Sequence, residues 1–290
     1  MQQTHGARRP QIQTAILAAC LLALVIAPTV SAQQPAPAAG TFVGAVLLTD
    51  DADAASTFYG DLFGWDMERA KDGGYAVRHK GRMVAGISPL QQAKEDIEES
   101  FWLVGLSVDS LDRALDAARQ GGGKIFNDAE RVSDYGRFAV IADRQQAPLM
   151  LVEPGIKPIG GTSGHGSWVW PELWTNDIED AAAFYATVLG VSRDQLDRGG
   201  ESYDVLTSQG KPRAGIVTIP EEYENVKPGW APYVAVSDLA AAVQKVKRLG
   251  GSVVFSTTEH PAEGAVALVK DPTGAVLFLY QIGSHQEAAQ

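Results

Sequence analysis

The sequence predicts an α+β protein made of two tandem domains, each containing two strand–helix–three-strand units. The first observation is an internal repeat, in which segment 46–59 returns as segment 172–185 at an offset of 126 residues. The second is a match of segment 106–111 with segment 234–239, at an offset of 128. Because solenoid repeats have periods of roughly 20–50 residues, offsets this long indicate a duplicated domain.

The elements of the first copy follow from residue spacing. Segment 42–49 is apolar and β-prone, and Asp51 can cap the helix that follows it. Apolar residues then recur at i, i+3, i+4 and i+7, and Gly64 ends the helix. A second helical stripe is formed by Leu111, Ala114, Leu115 and Ala118, and the other strands are expected at 75–79, 82–87, 101–108, 124–126, 137–142 and 148–153.

The second copy repeats this order. Strands are expected at 168–175, 203–207, 213–219, 232–236 and through Tyr280, with helices at 178–189 and around 239–246. The resulting boundaries are a leader at 1–32, a Pro- and Ala-rich tether at 33–40, domains at 41–154 and 167–283, a Gly-, Pro- and Ser-rich linker at 155–166, and a tail at 284–290.

The leader has the pattern of a secretory signal peptide. Arg8 and Arg9 form a basic region, 15–27 is apolar, and Val30-Ser31-Ala32 is a small-residue cleavage site before Gln33. The apolar stretch is short for a bilayer span, which favours a cleaved signal over an uncleaved anchor. We therefore expect a periplasmic or secreted protein that is not inserted in the membrane after cleavage.

Composition narrows the classes of site and partner. Cys20, the only cysteine, lies in the leader, and the apolar residues that follow it favour general secretion over lipidation there. The mature chain then has no disulfide, thiol nucleophile or thiolate metal site. The formal net charge of −11 becomes −13 without Arg8 and Arg9. An acidic chain argues against nucleic acid and anionic membranes as partners.

These features resemble the vicinal oxygen chelate superfamily, which includes glyoxalase I, extradiol dioxygenases and the bleomycin resistance proteins. The matching motifs are Asp-x-x-x-Ala-x-x-Phe-Tyr-x-x-x-x-Gly at 51–64 and 177–190, a Gly-Gly after the second helix of each copy, and Asp271-Pro272-Thr273-Gly274 before the last strand. Trp-x-Glu-Leu-x-Thr at 170–175 is similar to tandem glyoxalase-like proteins. The resemblance implies that each pair of units curves into a mixed sheet, or cup.

The resemblance also implies metal ligands (His, Gln or Glu) on the first and last strands of each unit. Carried over to this sequence, those places fall on Gly44, Gly86, Leu103 and Met150 in the first copy, and on Trp170, Gly215, Ala231 and Phe278 in the second. None of these residues offers a hard oxygen or an imidazole nitrogen to a divalent cation. We therefore expect no metal and no other cofactor.

The second cup is expected to be aromatic. Period-two alternation places Trp168, Trp170, Glu172 and Trp174 on one face of a strand. Tyr233, Phe278 and Tyr280 stand on other strands of the same domain. Together these six rings predict a pocket for a planar or cationic ligand. The alternative is that they fill the barrel or pack between the two copies.

Glu172 is the main candidate for chemistry. A carboxylate among tryptophans can act as a general base or hold a ligand cation, and the alternative is a rim glutamate bonded to a backbone amide or an arginine. Val46 occupies the equivalent place in the first copy. His260, in a loop beside Pro261, is a second acid–base candidate, although a surface histidine is the simpler explanation.

Two functions stay open. The first is a metal-independent periplasmic protein that binds a small molecule in the aromatic cup. The second is a glyoxalase-like lyase or isomerase that uses Glu172 as its base. The expected absence of metal ligands favours the first, the fold alone does not choose between them, and a homodimer is compatible with either.

The leader pattern makes a direct prediction. The protein recovered from the periplasmic fraction should begin near Gln33, because the small-residue site ends at Ala32. N-terminal sequencing of that fraction tests this, and an intact Met1, or a protein confined to the cytoplasm, contradicts it.

Overall fold

The computed structural model describes residues 36–90, 99–127, 129–198, 200–221, 226–257 and 265–281. The predicted signal peptide, the predicted tail and the candidate His260 lie outside these residues. Within the described ranges, no helix is long and apolar enough to cross a membrane.

The first domain is a curved mixed sheet with two helices on one face. Its sheet order is β2-β3-β4-β1-β5-β9-β8-β6, with β7 paired to β8. The elements are β1 (Phe42–Thr49), α1 (Ala52–Phe63), β2 (Asp66–Arg69), β3 (Tyr75–His79), β4 (Arg82–Pro89), β5 (Phe101–Ser107), α2 (Leu111–Gln120), β6 (Lys124–Ile125), β7 (Glu130–Val132), β8 (Gly136–Ala142) and β9 (Pro148–Pro154).

The second domain repeats this topology. Its sheet order is β11-β12-β13-β10-β14-β17-β16-β15. The elements are β10 (Trp168–Thr175), α3 (Ile178–Leu189), β11 (Ser192–Arg198), β12 (Glu201–Ser208), β13 (Lys211–Thr218), β14 (Gly229–Ala235), α4 (Leu239–Arg248), β15 (Ser252–Thr257), β16 (Ala265–Lys270) and β17 (Val276–Gln281). The predicted fold of two tandem α+β domains is therefore confirmed.

The first strands of the two units meet at the centre of each sheet. In the first domain, β1 pairs antiparallel with β5 and parallel with β4. In the second, β10 pairs antiparallel with β14 and parallel with β13. Side chains that alternate along β1 and β10 therefore enter either the helix-covered face or the concave face, which we call the first cup and the second cup.

The helices begin and end where the sequence predicts. The Asp51 carboxylate accepts a hydrogen bond from the Ala54 N–H at 2.9 Å, and Asp177 accepts one from the Asp180 N–H at 3.0 Å. Such caps satisfy N–H groups that have no partner within the helix. The predicted stripe of α1, which consists of Ala55, Phe58, Tyr59 and Leu62, is buried.

Three strands were not predicted from the sequence, namely β2, β7 and β11. The first reads Asp-Met-Glu-Arg, the second Glu-Arg-Val and the third Ser-Arg-Asp-Gln-Leu-Asp-Arg. β2 and β11 lie at sheet edges and β7 pairs only with β8. Strands at an edge are polar because their outer side meets water, so they lack the hydrophobic alternation that identifies a strand in a sequence.

The two domains pack through their helix-covered faces. α1 and α4 share one buried cluster with side chains from both sheets, among them Leu47 of β1 and Leu277 of β17. A second cluster joins α2 and α3, with Leu106 of β5 and Leu173 of β10. Each cluster therefore combines one unit of the first domain with one unit of the second.

A buried polar chain crosses the domain boundary inside the first cluster. The Tyr59 hydroxyl donates to Asp271 Oδ2 at 2.9 Å and accepts from Trp102 Nε1 at 2.9 Å. The other carboxylate oxygen of Asp271 accepts from the N–H groups of Thr273 and Ala275, at 2.8 and 3.0 Å. Burial raises the pKa of Asp271, and it raises that of Tyr59 far above its usual value.

The second hydrophobic cluster contains an equivalent set of hydrogen bonds. The Tyr185 hydroxyl donates to Asp143 Oδ2 and accepts from Trp230 Nε1, both at 3.1 Å. Asp143 also accepts from the Ala147 N–H at 2.9 Å. Each domain therefore supplies the Trp–Tyr pair of one hydrogen-bonded set and the aspartate of the other. Because the partners are buried, losing one leaves a desolvated polar group.

Removing either tyrosine hydroxyl should weaken the association of the domains. Tyr59→Phe and Tyr185→Phe are each expected to lower the free energy of unfolding by about 2 kcal/mol, because a buried carboxylate and an indole N–H lose a partner. Urea denaturation followed by circular dichroism measures this. Tyr75→Phe, whose hydroxyl bonds Asp53 at the surface, is the matched control and should change stability by less than about 0.5 kcal/mol. Equal stability of all three variants would contradict the assignment.

Candidate functional site

Glu172 lies at the base of the second cup. It stands in the middle of β10, opposite Gly215 of β13 and Ala231 of β14, and only 6% of its surface is exposed. An acidic side chain is this buried only when partners compensate for the lost water. Here the partners are aromatic side chains, so the alternative of a rim glutamate bonded to an amide or an arginine is not what the structure shows.

Three ring donors hold the Glu172 carboxylate. Oε1 accepts from Trp174 Nε1 at 3.0 Å and from the Tyr233 hydroxyl at 2.9 Å. Oε2 accepts from the Tyr203 hydroxyl at 2.5 Å. Hydrogen bonds to a charged acceptor are the strong ones in proteins, so this network fixes both the carboxylate and the rings around it.

Tyr203 reaches Glu172 because Gly215 has no side chain. A Cβ placed on Gly215 would lie 1.7 Å from the Tyr203 hydroxyl oxygen. The same hydroxyl accepts from Trp170 Nε1 at 3.0 Å, and this bond draws a second tryptophan into the network. Tyr203 was not among the predicted site residues, since a tyrosine in a half-buried strand carries no distinguishing pattern. The glycine at position 215 on the neighbouring strand β13, which leaves room for the hydroxyl, was the available signal.

The tyrosines of the network remain donors. Burial, followed by the charge of Glu172, raises the pKa of Tyr203 and of Tyr233 well above the usual range. Both hydroxyls therefore stay protonated at any physiological pH. The Tyr233 ring also stacks on Phe278, with centroids 4.2 Å apart and planes 11° from parallel, which makes one wall of the cup a pair of parallel rings.

A cation lies at the edge of the cup. The guanidinium carbon of Arg198, an exposed residue at the end of β11, is 3.4 Å from the centroid of the Tyr203 ring. A cation over a ring face is attracted by the π-electron density. Its charge also acts on Tyr203 and Tyr233 by lowering their pKa values, although burial dominates.

Trp168 is not part of the second cup, which corrects the alternation expected along β10. The pairing of β10 with β14 shifts register between Trp168 and Trp170, and a bulge of this kind turns the following side chains to the opposite face. The Trp168 indole donates to the Val84 carbonyl at 2.8 Å and packs against Trp65 and Trp102 between the domains. The alternative of packing between the copies therefore holds for this one ring.

The remaining predicted residues occupy the expected strands. Trp170, Trp174 and Tyr233 are half-buried, and Phe278 is buried. Tyr280 lies two residues after Phe278 on β17 and is half-buried. His79 is buried beside Gly166 of the linker, where burial lowers its pKa. Four of the six predicted rings therefore contact Glu172 or one of its hydrogen-bond partners. These are Trp170, Trp174, Tyr233 and Phe278.

The first cup differs because it contains an apolar cavity of about 100 Å³. The strand registers pair Gly44 with Gly105 and Gly105 with Met150. In the second domain the corresponding pairs are Trp170 with Tyr233 and Tyr233 with Phe278. The cavity was not predicted from the sequence, although the two glycines at these places were a signal for it.

A family model matches both copies of the repeat. The model of the Glyoxalase/Bleomycin resistance protein/Dioxygenase superfamily matches residues 41–151 and 168–278. The chain belongs to this superfamily. The family inferred from the motifs at 51–64 and 177–190 is thereby confirmed.

Relatives in this superfamily cover nearly the whole protein. The putative glyoxylase CFP32 of Mycobacterium tuberculosis is 31% identical over 252 residues, which is 83% of this chain and 94% of the relative. The anthracycline biosynthesis protein DauV of Streptomyces sp. strain C5 is 28% identical over 260 residues, which is 82% of this chain and 92% of the relative. The similarity therefore extends over most of this chain and nearly the whole length of each relative.

Solved structures of the superfamily show the same fold. The Mn(II)-bound glyoxalase from Novosphingobium aromaticivorans superposes with a TM-score of 0.61 at 16% identity, covering 84% of this chain and 82% of that one. The 2,2',3-trihydroxybiphenyl 1,2-dioxygenase from Sphingomonas wittichii RW1 gives 0.60 at 16% identity, covering 85% and 91%. At this identity the likeness concerns the fold alone.

The residues of the two cups do not fit a divalent metal. Within the described ranges, no group of three or more His, Cys, Asp or Glu side chains is close enough to hold one. In the second cup, the space of a side chain at position 215 is filled by the Tyr203 hydroxyl, and Glu172 is surrounded by donors. In the first cup, Met150 Cε fills the space beside Gly105. Hard cations need several oxygen or nitrogen ligands.

The residues that line the two cups lead to an expected metal content for the purified protein. After dialysis it should contain much less than one Zn, Ni, Mn or Fe per chain, because the described residues of the two cups form no set of ligands. Elemental analysis by mass spectrometry measures this. One metal per chain that survives dialysis would contradict the expectation and would direct attention to Glu172, His79 and His260.

Proposed function

We propose that this superfamily member is an exported, metal-independent binding protein that holds a small planar organic molecule in its second cup. The observation that carries the proposal is the Glu172 network, which uses a buried carboxylate to fix Trp174, Tyr203 and Tyr233 around one concavity. Rings that are already ordered lose little further freedom when a ligand stacks on them. The network therefore supports a preorganised aromatic site.

The exposure of the rings supports the same function. Trp170, Trp174, Tyr203 and Tyr233 are each half-buried, whereas Phe278 and Glu172 beneath them are buried. Aromatic side chains with one wet face are typical of ligand-binding surfaces. The name of the relative DauV refers to anthracycline biosynthesis, and an anthracycline contains a planar polycyclic ring system. A planar ligand would match both the cup and that relative.

The second candidate is a lyase or isomerase that uses Glu172 as a general base. The names of the glyoxylase relative and of the glyoxalase structure favour it. A base needs a carboxylate oxygen directed at the substrate proton. Oε1 of Glu172 already accepts two hydrogen bonds, and Oε2 accepts one from Tyr203. This occupancy favours a structural role for the carboxylate and therefore favours binding.

Truncating a ring of the cup should weaken binding. Trp170→Ala should reduce the binding free energy of the neutral planar probe 2-(hydroxymethyl)anthraquinone by about 2–4 kcal/mol, since apolar burial at roughly 25 cal/mol per Å² is the main contribution. Calorimetric titration measures the affinity. If Trp170→Ala has no effect while substitution of Val46 or Met150 abolishes binding, the site is in the first cup. If no planar molecule is found by native mass spectrometry and none binds, the proposal fails.

Neutralising Glu172 separates the two candidate functions. Glu172→Gln keeps the shape of the side chain, and its amide oxygen can still accept from Trp174 and Tyr233. The affinity for 2-(hydroxymethyl)anthraquinone should therefore change by less than about threefold. Glu99→Gln, an exposed position in the first domain, is the matched control. A loss of about tenfold limited to the planar cation acridine orange would identify a cation site. If Glu172 is the base of an enzyme, the Glu172→Gln variant should keep its affinity for a hemithioacetal substrate. Its turnover of that substrate should fall by a factor of about 10²–10⁴.

A further inference from the structure

The first cup contains a cavity that the proposed second-cup site does not use. Its volume is about 100 Å³. Its walls are Val43 and Val46 from β1, Phe138 from β8, and Met150 and Val152 from β9. These side chains form one buried apolar cluster. The lining is therefore mostly apolar, and a water molecule inside it would find few polar partners.

The cavity exists because the first copy has small residues where the second has large rings. Gly44 and Gly105 stand at the register positions of Trp170 and Tyr233, and Val46 stands at that of Glu172. Met150 bends into the space beside Gly105, with Cε 2.7 Å from where a Cβ would lie. The Met150 side chain fills only part of the space that the rings of Trp170 and Tyr233 occupy in the second domain, so a void remains. Void-filling by a ligand recovers the lost contacts.

The polar groups at the edge of the cavity are already engaged. The Arg137 guanidinium pairs with Asp112 at 2.6 Å and approaches Glu153 at 3.5 Å. The Tyr135 ring faces Lys157, whose Nζ lies 5.8 Å from the ring centroid. A charged or strongly polar ligand would lose its hydration without gaining a partner. The chemistry of the walls therefore selects an uncharged apolar molecule.

The interdomain linker covers one end of this cavity. Ile159 pairs with Met83 of β4 in an isolated bridge, and its side chain lies 3.1 Å from the Cβ position of Gly44. The Gly160 N–H donates to the Met83 carbonyl at 2.8 Å, and Arg82 Nε donates to the Gly160 carbonyl at 2.6 Å. These bonds hold the linker over the opening. The ligand must therefore be compact.

We propose that the first cup is a second binding site, specific for a compact, uncharged apolar molecule such as a single aromatic ring or a short alkyl group. It is separate in position and chemistry from the aromatic, carboxylate-centred site in the second cup. A cavity of about 150 Å³ with an apolar lining binds benzene in an engineered protein, so a ring of that size is a suitable probe here.

The methionines of the chain report on this site. Of the four methionines, Met83 and Met150 line the cavity, whereas Met67 lies on β2 and packs against the interdomain cluster. Titration of the full protein with benzene, after labelling the methionine methyl groups with ¹³C, should shift the Met83 and Met150 signals. The shifts should saturate at about millimolar concentrations, and the Met67 signal should stay in place.

Filling the cavity should abolish the effect. Val46→Phe should weaken benzene binding by at least about tenfold, and the smaller change Val46→Leu should weaken it less while straining the core less. Val254→Phe, on the exposed face of β15, is the matched control and should bind benzene like the parent. Absence of a saturable shift at Met150, equal shifts at Met67, or unchanged binding in both Val46 variants would each overturn the proposal. None of these results depends on the planar ligand of the second cup.

Discussion

The bond between a buried tyrosine hydroxyl and an aspartate of the other domain sets the arrangement of the whole molecule. Tyr59 with Asp271, and Tyr185 with Asp143, lie in the two clusters that join the domains. Apolar packing alone tolerates small rotations of one surface on another, whereas a buried hydrogen bond to a carboxylate has a defined length and direction. The two bonds therefore fix the relative orientation of the sheets. The helix-covered faces are committed to each other, and the concave faces take no part in these two clusters.

This arrangement explains why the two copies have equivalent residues on one face of each sheet and different residues on the other. The Trp–Tyr–Asp chains occur twice with equivalent residues, because each domain contributes to both. The cups carry no such reciprocal requirement. Position 46 in one copy is a valine and its equivalent 172 in the other is a glutamate, with different neighbours around each. The cups can therefore differ in chemistry while the interface uses equivalent residues twice.

In the second cup, the carboxylate and the rings depend on each other. Glu172 is stable in its buried position because three ring donors replace water, and the rings are ordered because the carboxylate holds them. Tyr203 can enter this set only because position 215 is a glycine. A site of this kind offers π-faces and shape more than free charge. That is the physical basis of the proposal that this cup holds a planar ligand without a metal.

The sequence by itself determined the duplication, the order of the elements, the caps at Asp51 and Asp177, and the superfamily. These features depend on local spacing and on repeats, which are visible along the chain. It also indicated Glu172 and several of its rings, because alternation places them on one strand face. The polar strands β2, β7 and β11 could not be predicted, since their sequences show no hydrophobic alternation.

Tertiary structure decided the rest. A single register shift between Trp168 and Trp170 moved one predicted ring from the cup to the domain interface, and a sequence does not show where a bulge falls. The partnership of Tyr203 with Glu172 joins residues on strands that are not neighbours in the sheet, so no local pattern encodes it. The cavity of the first cup likewise arises from glycines on different strands that meet only after folding. Local spacing specifies elements, whereas contacts between distant segments specify the sites.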